Sequence, residues 1–427
     1  MDVSINKVNK LCGEVILPGD KSISHRALMF AALANGISEI TNLSPSQDVQ
    51  STAQCLQQLG VRIWLQNNKT YVAGNGLHGF QKPTAMLDAG NSGTTIRLLS
   101  GILVGQKFGS EITGDNSLRK RPMKRIIEPL KEMGADISGE PGGFAPLRIR
   151  PGNLIPFHHK LKIASAQVKS CLLLAGMFAS GTTAIGEPSP TRDHTEKMLT
   201  FLGAKIERQG TTVKTNGHPI LKAQAIYIPG DISSAAFFLI AALLVPTSNL
   251  VIKNVGLNAT RTGILDVLSE MGAKFSIKNL KFSNNEKRGD IVIYPGKLRG
   301  IKIEGKIIPR IIDEIPVLAV AATQASGQTV IKDARELRVK ESDRIKAVVE
   351  NLQLMGAAAT ELEDGMVIEG NKKLHGAKIN SYADHRIAMA FAVAGLYAQG
   401  ETIIHNAECA DISHPKFFEQ LKVLCDD

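Results

Sequence analysis

The stretch HRALMFAALANGISEI, from His25 to Ile40, decides the fold. Up to Ala34 it is apolar on nearly every side, so as a helix it has no face to give to water and belongs in a core. A small-residue stop and a β-type strand follow. The same succession recurs as TIRLLSGILVGQKFGSEI from Thr95, VKSCLLLAGMFASGTTAI from Val168, SSAAFFLIAALLVPTSNLVI from Ser233, IPVLAVAATQASGQTVI from Ile315 and RIAMAFAVAGLYAQGETII from Arg386. The starts are separated by 70, 73, 65, 82 and 71 residues. A period of that size carrying the same elements is an internal repeat.

A second helix recurs between these, ending in a glycine C-cap: CLQQLGV at Cys55, PLKEMGA at Pro129, MLTFLGA at Met198, VLSEMGA at Val267 and NLQLMGA at Asn351. FFEQLKVL takes the sixth place at the chain's end, and polar strand pairs such as VRIWLQNNKTYVAG follow most copies. Each unit reads strand, helix, strand, helix, hairpin. Six such units exceed one compact core, so the expected fold class is α/β with six βαβαββ repeats, three per domain. The split is expected near Asp20 and Asp231, giving one domain from residues 20–230 and a discontinuous one from 1–19 plus 231–427.

Lys and Arg number 50 against 40 Asp and Glu, a formal charge of +10, which fits nucleic acid, an anionic surface or small acidic substrates. Aromatics are only 5% and the one dense basic run is Arg119 to Arg125, RKRPMKR, so small anions are expected and nucleic acid is not. Five cysteines without CxxC spacing argue against a disulfide framework or a zinc site and for a reducing compartment. The N-terminus shows no signal-peptide pattern, and the longest apolar run, Ala235 to Pro246, is too short to span a bilayer. The expectation is a cytoplasmic, metal-free enzyme that does not bind membranes.

Gly74 to Gly79, GNGLHG, is formally a dinucleotide pattern, but no helix follows to receive a pyrophosphate. The informative segments lie where the repeats begin. PGDKSISHR puts Lys21 and Ser22 just before a helix whose first turn carries Arg26, which is anion-binding equipment. DAGNSGTTIR offers unencumbered amides around Gly93, with Arg97 read as a helix-surface residue. In the basic run, Arg121 precedes Pro122, which is expected to open the next helix. SAQVKS places Ser165 and Gln167, and PTRDHT places Arg192, at two further helix starts. In the second half, RIIDEIP brings Asp313 and Glu314, LRVKESDRI brings Lys340, Glu341, Asp343 and Arg344, and YADHRIAMA brings Asp384, His385 and Arg386. Arginines suit planar phosphate and carboxylate recognition, while Asp313, Glu341, Lys21 and His385 can move protons. The residues alone point to acid/base chemistry on two polyanionic metabolites, bound where the two domains meet.

Taken in order, PGDKSISHR, GNSGTTIR, KRPM, SAQVKS, TRDHT, DEIPVLAVAA, LRVKESDR and YADHRIAMA closely resemble the 5-enolpyruvylshikimate-3-phosphate synthase family across nearly the whole chain. The resemblance implies an inverse α/β barrel-like fold of two domains. It implies transfer of the enolpyruvyl group of phosphoenolpyruvate to the 5-hydroxyl of shikimate 3-phosphate, with phosphate released through a tetrahedral intermediate and no cofactor. By motif, Lys21, Ser22, Arg26, Ser165, Ala166, Gln167, Arg192, Asp313 and Lys340 are implied shikimate 3-phosphate ligands. Lys21, Gly93, Arg121, Gln167, Arg344 and Arg386 are implied phosphoenolpyruvate ligands. Asp313 is the implied base, Glu341 the group exchanging protons with C3, with Lys21 and His385 assisting. A monomer is expected.

Two departures stand out. Ala166 replaces a serine found in some branches, leaving a backbone contact only, and Ile412 stands where some carry a lysine. The Ala166 form with TRDHT resembles the branch that includes enzymes tolerant of glyphosate, the family's inhibitor. Two alternatives remain at this point. The sister transferase acting on UDP-N-acetylglucosamine needs a reactive cysteine, whereas Cys12, Cys55 and Cys171 lie in strand or helix patterns. A non-catalytic nucleic-acid-binding repeat protein rests on the pI of 9.3 alone.

Overall fold

The computed structural model describes residues 1–425. The chain divides into two compact units, one of residues 19–228 with 283–286, the other of residues 1–18, 229–282 and the described residues from 287 onward. Each has its own hydrophobic core.

Three apolar helices run through each core: Lys21–Leu33, Gly93–Leu103 and Ala166–Gly176 in the first unit, and Ile232–Leu244, Ile315–Ala322 and His385–Gly395 in the second. Every residue of the last two is buried, as an all-round apolar sequence demands. Burying each Leu, Ile or Phe contributes about 1.5–3 kcal/mol, so these helices dominate the stability of their units. Helices Gly93–Leu103 and Ala166–Gly176 approach until a Cβ on Gly101 would lie 2.2 Å from the Cys171 carbonyl oxygen, so only glycine permits the contact.

Five sheets have four strands and one has three among the described residues. In each, the strand after the core helix lies parallel to a neighbour on one side and antiparallel to a third strand on the other. That central strand repeats one design: a buried hydroxyl residue (Ser38, Ser110, Thr183, Ser248, Thr329, Thr402) two places before a buried Ile or Leu (Ile40, Ile112, Ile185, Leu250, Ile331, Ile404). The outer helices end as the repeat predicts, with Gly60, Gly134, Gly203, Gly272 and Gly356 all at positive φ.

Two sheets exchange their leading strands. Lys10–Ile16, which precedes the first core helix, pairs with Thr247–Gly256, whereas Ala225–Tyr227, which precedes the fourth, pairs with Asn35–Thr41. The sixth repeat departs from the βαβαββ pattern. No closing hairpin follows its second helix among the described residues, and Val3–Ile5 runs antiparallel to Thr402–His405. No helix among the described residues is long and apolar enough to cross a membrane.

Candidate functional site

In the 19–228 unit the candidates gather at the starts of the core helices. Asp20 caps the first by accepting from the Ile23 amide at 2.9 Å, so Lys21 and Ser22 are its opening residues and do not precede it. The Lys21 ammonium lies 2.8 Å from the Asp48 carboxylate. Arg26 is buried, donating to Thr195 Oγ1 at 2.7 Å, to the Ser22 carbonyl at 2.9 Å and to Ser170 Oγ at 2.9 Å. It therefore ties three helices together alongside its expected ligand role.

Gly93 opens the next core helix. Its cap, Ser92, accepts from the Thr95 amide at 3.1 Å, and the amides of Gly93 and Thr94 are the first two at the helix end. Around them Arg121 donates to Asn91 Oδ1 at 2.7 Å, Gln167 donates to Thr94 Oγ1 at 3.0 Å, and Arg97 donates to Gln167 Oε1. Gly93, Arg121 and Gln167 are thus brought together. Arg97, expected on the helix surface, instead reaches this group. Its signal was its place one turn after Gly93 on the same helix face. Ser165 caps the helix that begins with Ala166 and Gln167, accepting from the Val168 amide at 3.4 Å. Arg192 lies half-buried in the turn before helix His194–Phe201. Pro122 does not open a helix: Arg121 adopts an extended backbone and the helix starts at Lys124.

The loop carrying Arg192 is anchored by a buried ionic group. Lys169 is fully buried and pairs with Glu187 at 3.0 Å and Glu196 at 2.6 Å, while the Glu187 carboxylate accepts from Thr191. Nearby, ligand atoms of Asp193, His194 and Glu286 fall within 4.8 Å of one another. The Lys197 ammonium, 2.9 Å from Asp193 and 4.0 Å from Glu286, holds the cation position there.

In the other unit Arg344 is the hub. Its side chain is 1% exposed and donates to Asp384 Oδ2 at 2.8 Å, Glu341 Oε2 at 2.6 Å and Asp313 Oδ1 at 3.4 Å. Burial works against its charge, but Asp384 and Glu341 outweigh that and hold the guanidinium more firmly protonated than usual. Asp313 also lies 3.9 Å from Lys340 and 3.7 Å from Arg386, whose Nη1 donates to the Asp313 carbonyl at 3.0 Å. Burial lowers the Lys340 pKa, with Asp313 pulling the other way. Three cations and three carboxylates therefore share one group. An arriving phosphate or carboxylate can replace protein carboxylates on the arginines and free them to take protons.

Asp384 joins this group because of its backbone. Tyr382 and Ala383 both hold φ of 53°, a left-handed conformation that costs non-glycine residues energy. Asn380 Oδ1 accepts from the Tyr382 amide at 2.8 Å and Ser381 Oγ from the Ala383 amide at 3.2 Å, which keeps the turn. Asp384 then caps helix His385–Gly395 through the Arg386 amide at 2.9 Å while gripping Arg344. His385 is buried in that helix's first turn. Burial pushes the thiols of Cys55, Cys171 and Cys409 up to about 12, which leaves them unreactive.

The family described as EPSP synthase (3-phosphoshikimate 1-carboxyvinyltransferase) matches residues 5–421. Two proteins named 3-phosphoshikimate 1-carboxyvinyltransferase, from Bacillus thuringiensis subsp. konkukian (strain 97-27) and Bacillus cereus (strain B4264), are each 52% identical over 417 residues, 97% of both chains. A solved EPSP synthase from Acinetobacter baumannii aligns with a TM-score of 0.89 at 42% identity, covering 99% of this chain and 98% of that one. The enolpyruvyl transferase NikO from Streptomyces tendae aligns at 0.79 with 18% identity over 99% and 96%, a likeness of fold.

Proposed function

The chain belongs to the EPSP synthase family, and from that premise we propose how its residues share the work. It is a transferase that moves the enolpyruvyl group of phosphoenolpyruvate to shikimate 3-phosphate, a step of the shikimate pathway. The observation that carries the residue roles is the Arg344 group, in which Asp313 and Glu341 are poised among cations that two anionic substrates can claim.

In the 19–228 unit, Lys21, Ser22, Arg26, Ser165, the backbone of Ala166, Gln167 and Arg192 take shikimate 3-phosphate, while Lys21, Gly93, Arg121 and Gln167 take phosphoenolpyruvate. In the other unit, Lys340 meets the shikimate phosphate and Arg344 and Arg386 meet phosphoenolpyruvate. Asp313 accepts the proton of the 5-hydroxyl as that oxygen bonds to C2. Glu341, assisted by His385, supplies a proton to C3. The tetrahedral adduct then expels phosphate as C3 returns its proton and the double bond reforms. Arginines keep their charge throughout, so they hold anions without entering the proton balance.

Phosphate release tests this directly. Shikimate 3-phosphate with phosphoenolpyruvate should release phosphate, and UDP-N-acetylglucosamine should not replace the acceptor; release with the nucleotide sugar alone would overturn the assignment. We further propose a cytoplasmic monomer that does not bind nucleic acid. Light scattering at twice the chain mass, or salt-dependent retention on DNA, would count against it.

A further inference from the structure

A chain of buried hydroxyls runs beneath the anion-binding turn. His25 Nδ1 lies 2.6 Å from Thr52 Oγ1, which lies 2.7 Å from Thr95 Oγ1, which donates to Ser92 Oγ at 2.7 Å. All four residues are fully buried. Each stands behind a residue of the site. His25 is one helical turn after Lys21, Thr52 one turn after Asp48, and Ser92 caps the helix that Gly93 opens.

The histidine sets the direction of the chain. Its Nε2 is buried and has no hydrogen-bond partner among the described residues. A proton there would be a buried orphan donor, which is rarer and costlier than a bare lone pair. The ring is neutral, because burial and then the charges of Lys21 and Arg26 lower its pKa well below the usual value. The proton therefore sits on Nδ1 and is donated to Thr52. Thr52 must then donate to Thr95, and Thr95 to Ser92. The competing acceptor, the Asp48 carbonyl, is 3.5 Å from both hydroxyls and too long to divert them. Ser92 Oγ ends up accepting twice from Thr95, from its hydroxyl and from its amide.

We propose that His25, Thr52 and Thr95 are positioning residues, a one-way strut that fixes Ser92 and so holds the Asn91–Gly93 turn where an anionic substrate group meets its amides. The inference rests on the reading that phosphoenolpyruvate binds at that turn. Without the strut the turn still forms, since the cap remains, but it is no longer tied to the helices that carry Lys21 and Asp48.

The test pairs Thr52→Val and Thr95→Val with Thr52→Ser and Thr95→Ser. Each valine variant should raise the KM for phosphoenolpyruvate roughly fivefold to tenfold, the scale of one buried hydrogen bond, with kcat and the KM for shikimate 3-phosphate within about twofold. Each serine variant should return to wild-type values. An unchanged KM in the valine variants, a parallel rise for both substrates, or no rescue by serine overturns the proposal. Nitrogen-15 NMR of the histidines in the substrate-free protein reads the tautomer independently: Nδ1–H at His25 is expected, and Nε2–H defeats the strut. Absence of turnover in the wild type would instead defeat the functional reading, leaving the NMR result to decide the chain.

Discussion

Gly93→Ala probes the phosphoenolpyruvate site with one methyl group. A Cβ at Gly93 would lie 3.0 Å from Arg97 Nη1 and 3.5 Å from Arg121 Nη1. Gly93 is not among the residues at positive φ, so alanine needs no strained backbone. At a helix start the change is neutral or slightly stabilising, and the melting temperature should not fall. The crowded atom is the end of a flexible guanidinium that can shift a few tenths of an ångström, though its bond to Gln167 resists. Overpacking costs about 1–3 kcal/mol. The low end, about fivefold, is expected for the KM of phosphoenolpyruvate. Glyphosate is a longer molecule than phosphoenolpyruvate, so if it takes the same site it needs the space the methyl fills, and its inhibition constant should rise toward the high end, roughly 150-fold. Both constants should be measured in both proteins at one pH and ionic strength, with glyphosate expected to compete with phosphoenolpyruvate in the wild type. A wild type already insensitive, or equal rises of the two constants, refutes the steric argument despite the tolerant-branch resemblance.

Asp313→Asn and Glu341→Gln should each lower kcat by roughly 10²–10⁴-fold, the range for loss of a general acid or base, with much smaller effects on shikimate 3-phosphate affinity; near-wild-type kcat removes that residue from its role. Because burial lowers the Lys340 pKa and Asp313 opposes this, calorimetric affinity for shikimate 3-phosphate should fall at a lower pH than an exposed lysine would require, and lower still in Asp313→Asn. His414 is buried against Phe238 and Phe417, and burial lowers its pKa from 6.5 to about 4. The unfolded chain takes up this proton first as pH falls, so about 3 kcal/mol of stability present above pH 6.5 should be lost by about pH 4; denaturation of His414→Phe should lack this loss. Lys169→Met leaves Glu187 and Glu196 with Arg208, 3.6 and 4.0 Å away, as their remaining cation and should cost about 3 kcal/mol by denaturant unfolding, part of it recovered when Glu196→Gln is added.

The repeat was legible because burial dictates sequence in two ways at once. A helix with no solvent face must be apolar all round, and a helix ending against a strand must turn through a positive φ, so Gly60, Gly134, Gly203, Gly272 and Gly356 punctuate it. The pairing of Val3–Ile5 in the sixth sheet was not legible, since nothing in that segment names a partner strand four hundred residues away. The split expected near Asp20 and Asp231 already sends Lys10–Ile16 and Ala225–Tyr227 to opposite domains; what it does not give is the strand each one pairs with. Within the site, the resemblance is what groups Arg121 with Gly93 and Gln167, since Arg121 does not stand at a helix start, whereas the Arg344 group could be sought at helix starts. Arg97 was misplaced because a basic residue on an exposed-looking face carries no mark of the glutamine that receives it. His25, Thr52 and Thr95 carry no signal in the sequence, because their partnership depends on three helices meeting.

The helix caps differ between the two units. In the 19–228 unit, Ser92 and Ser165 cap two of the three core helices, neutral groups that satisfy an amide without cancelling the positive helix end. The third cap, Asp20, adjoins Lys21. Such ends favour anions, and they hold the candidates for binding. In the other unit the corresponding positions are Asp231, Glu314 and Asp384, all acidic. Those helix ends are already compensated, and the carboxylates draw in Arg261 and Arg344. Arg344 in turn gathers Asp313 and Glu341. A site built that way holds carboxylates beside cations before any substrate arrives, which is the condition for groups that give and take protons. Serine caps therefore leave two helix ends of one unit open to anions, while the acidic caps of the other gather cations and, through Arg344, further carboxylates.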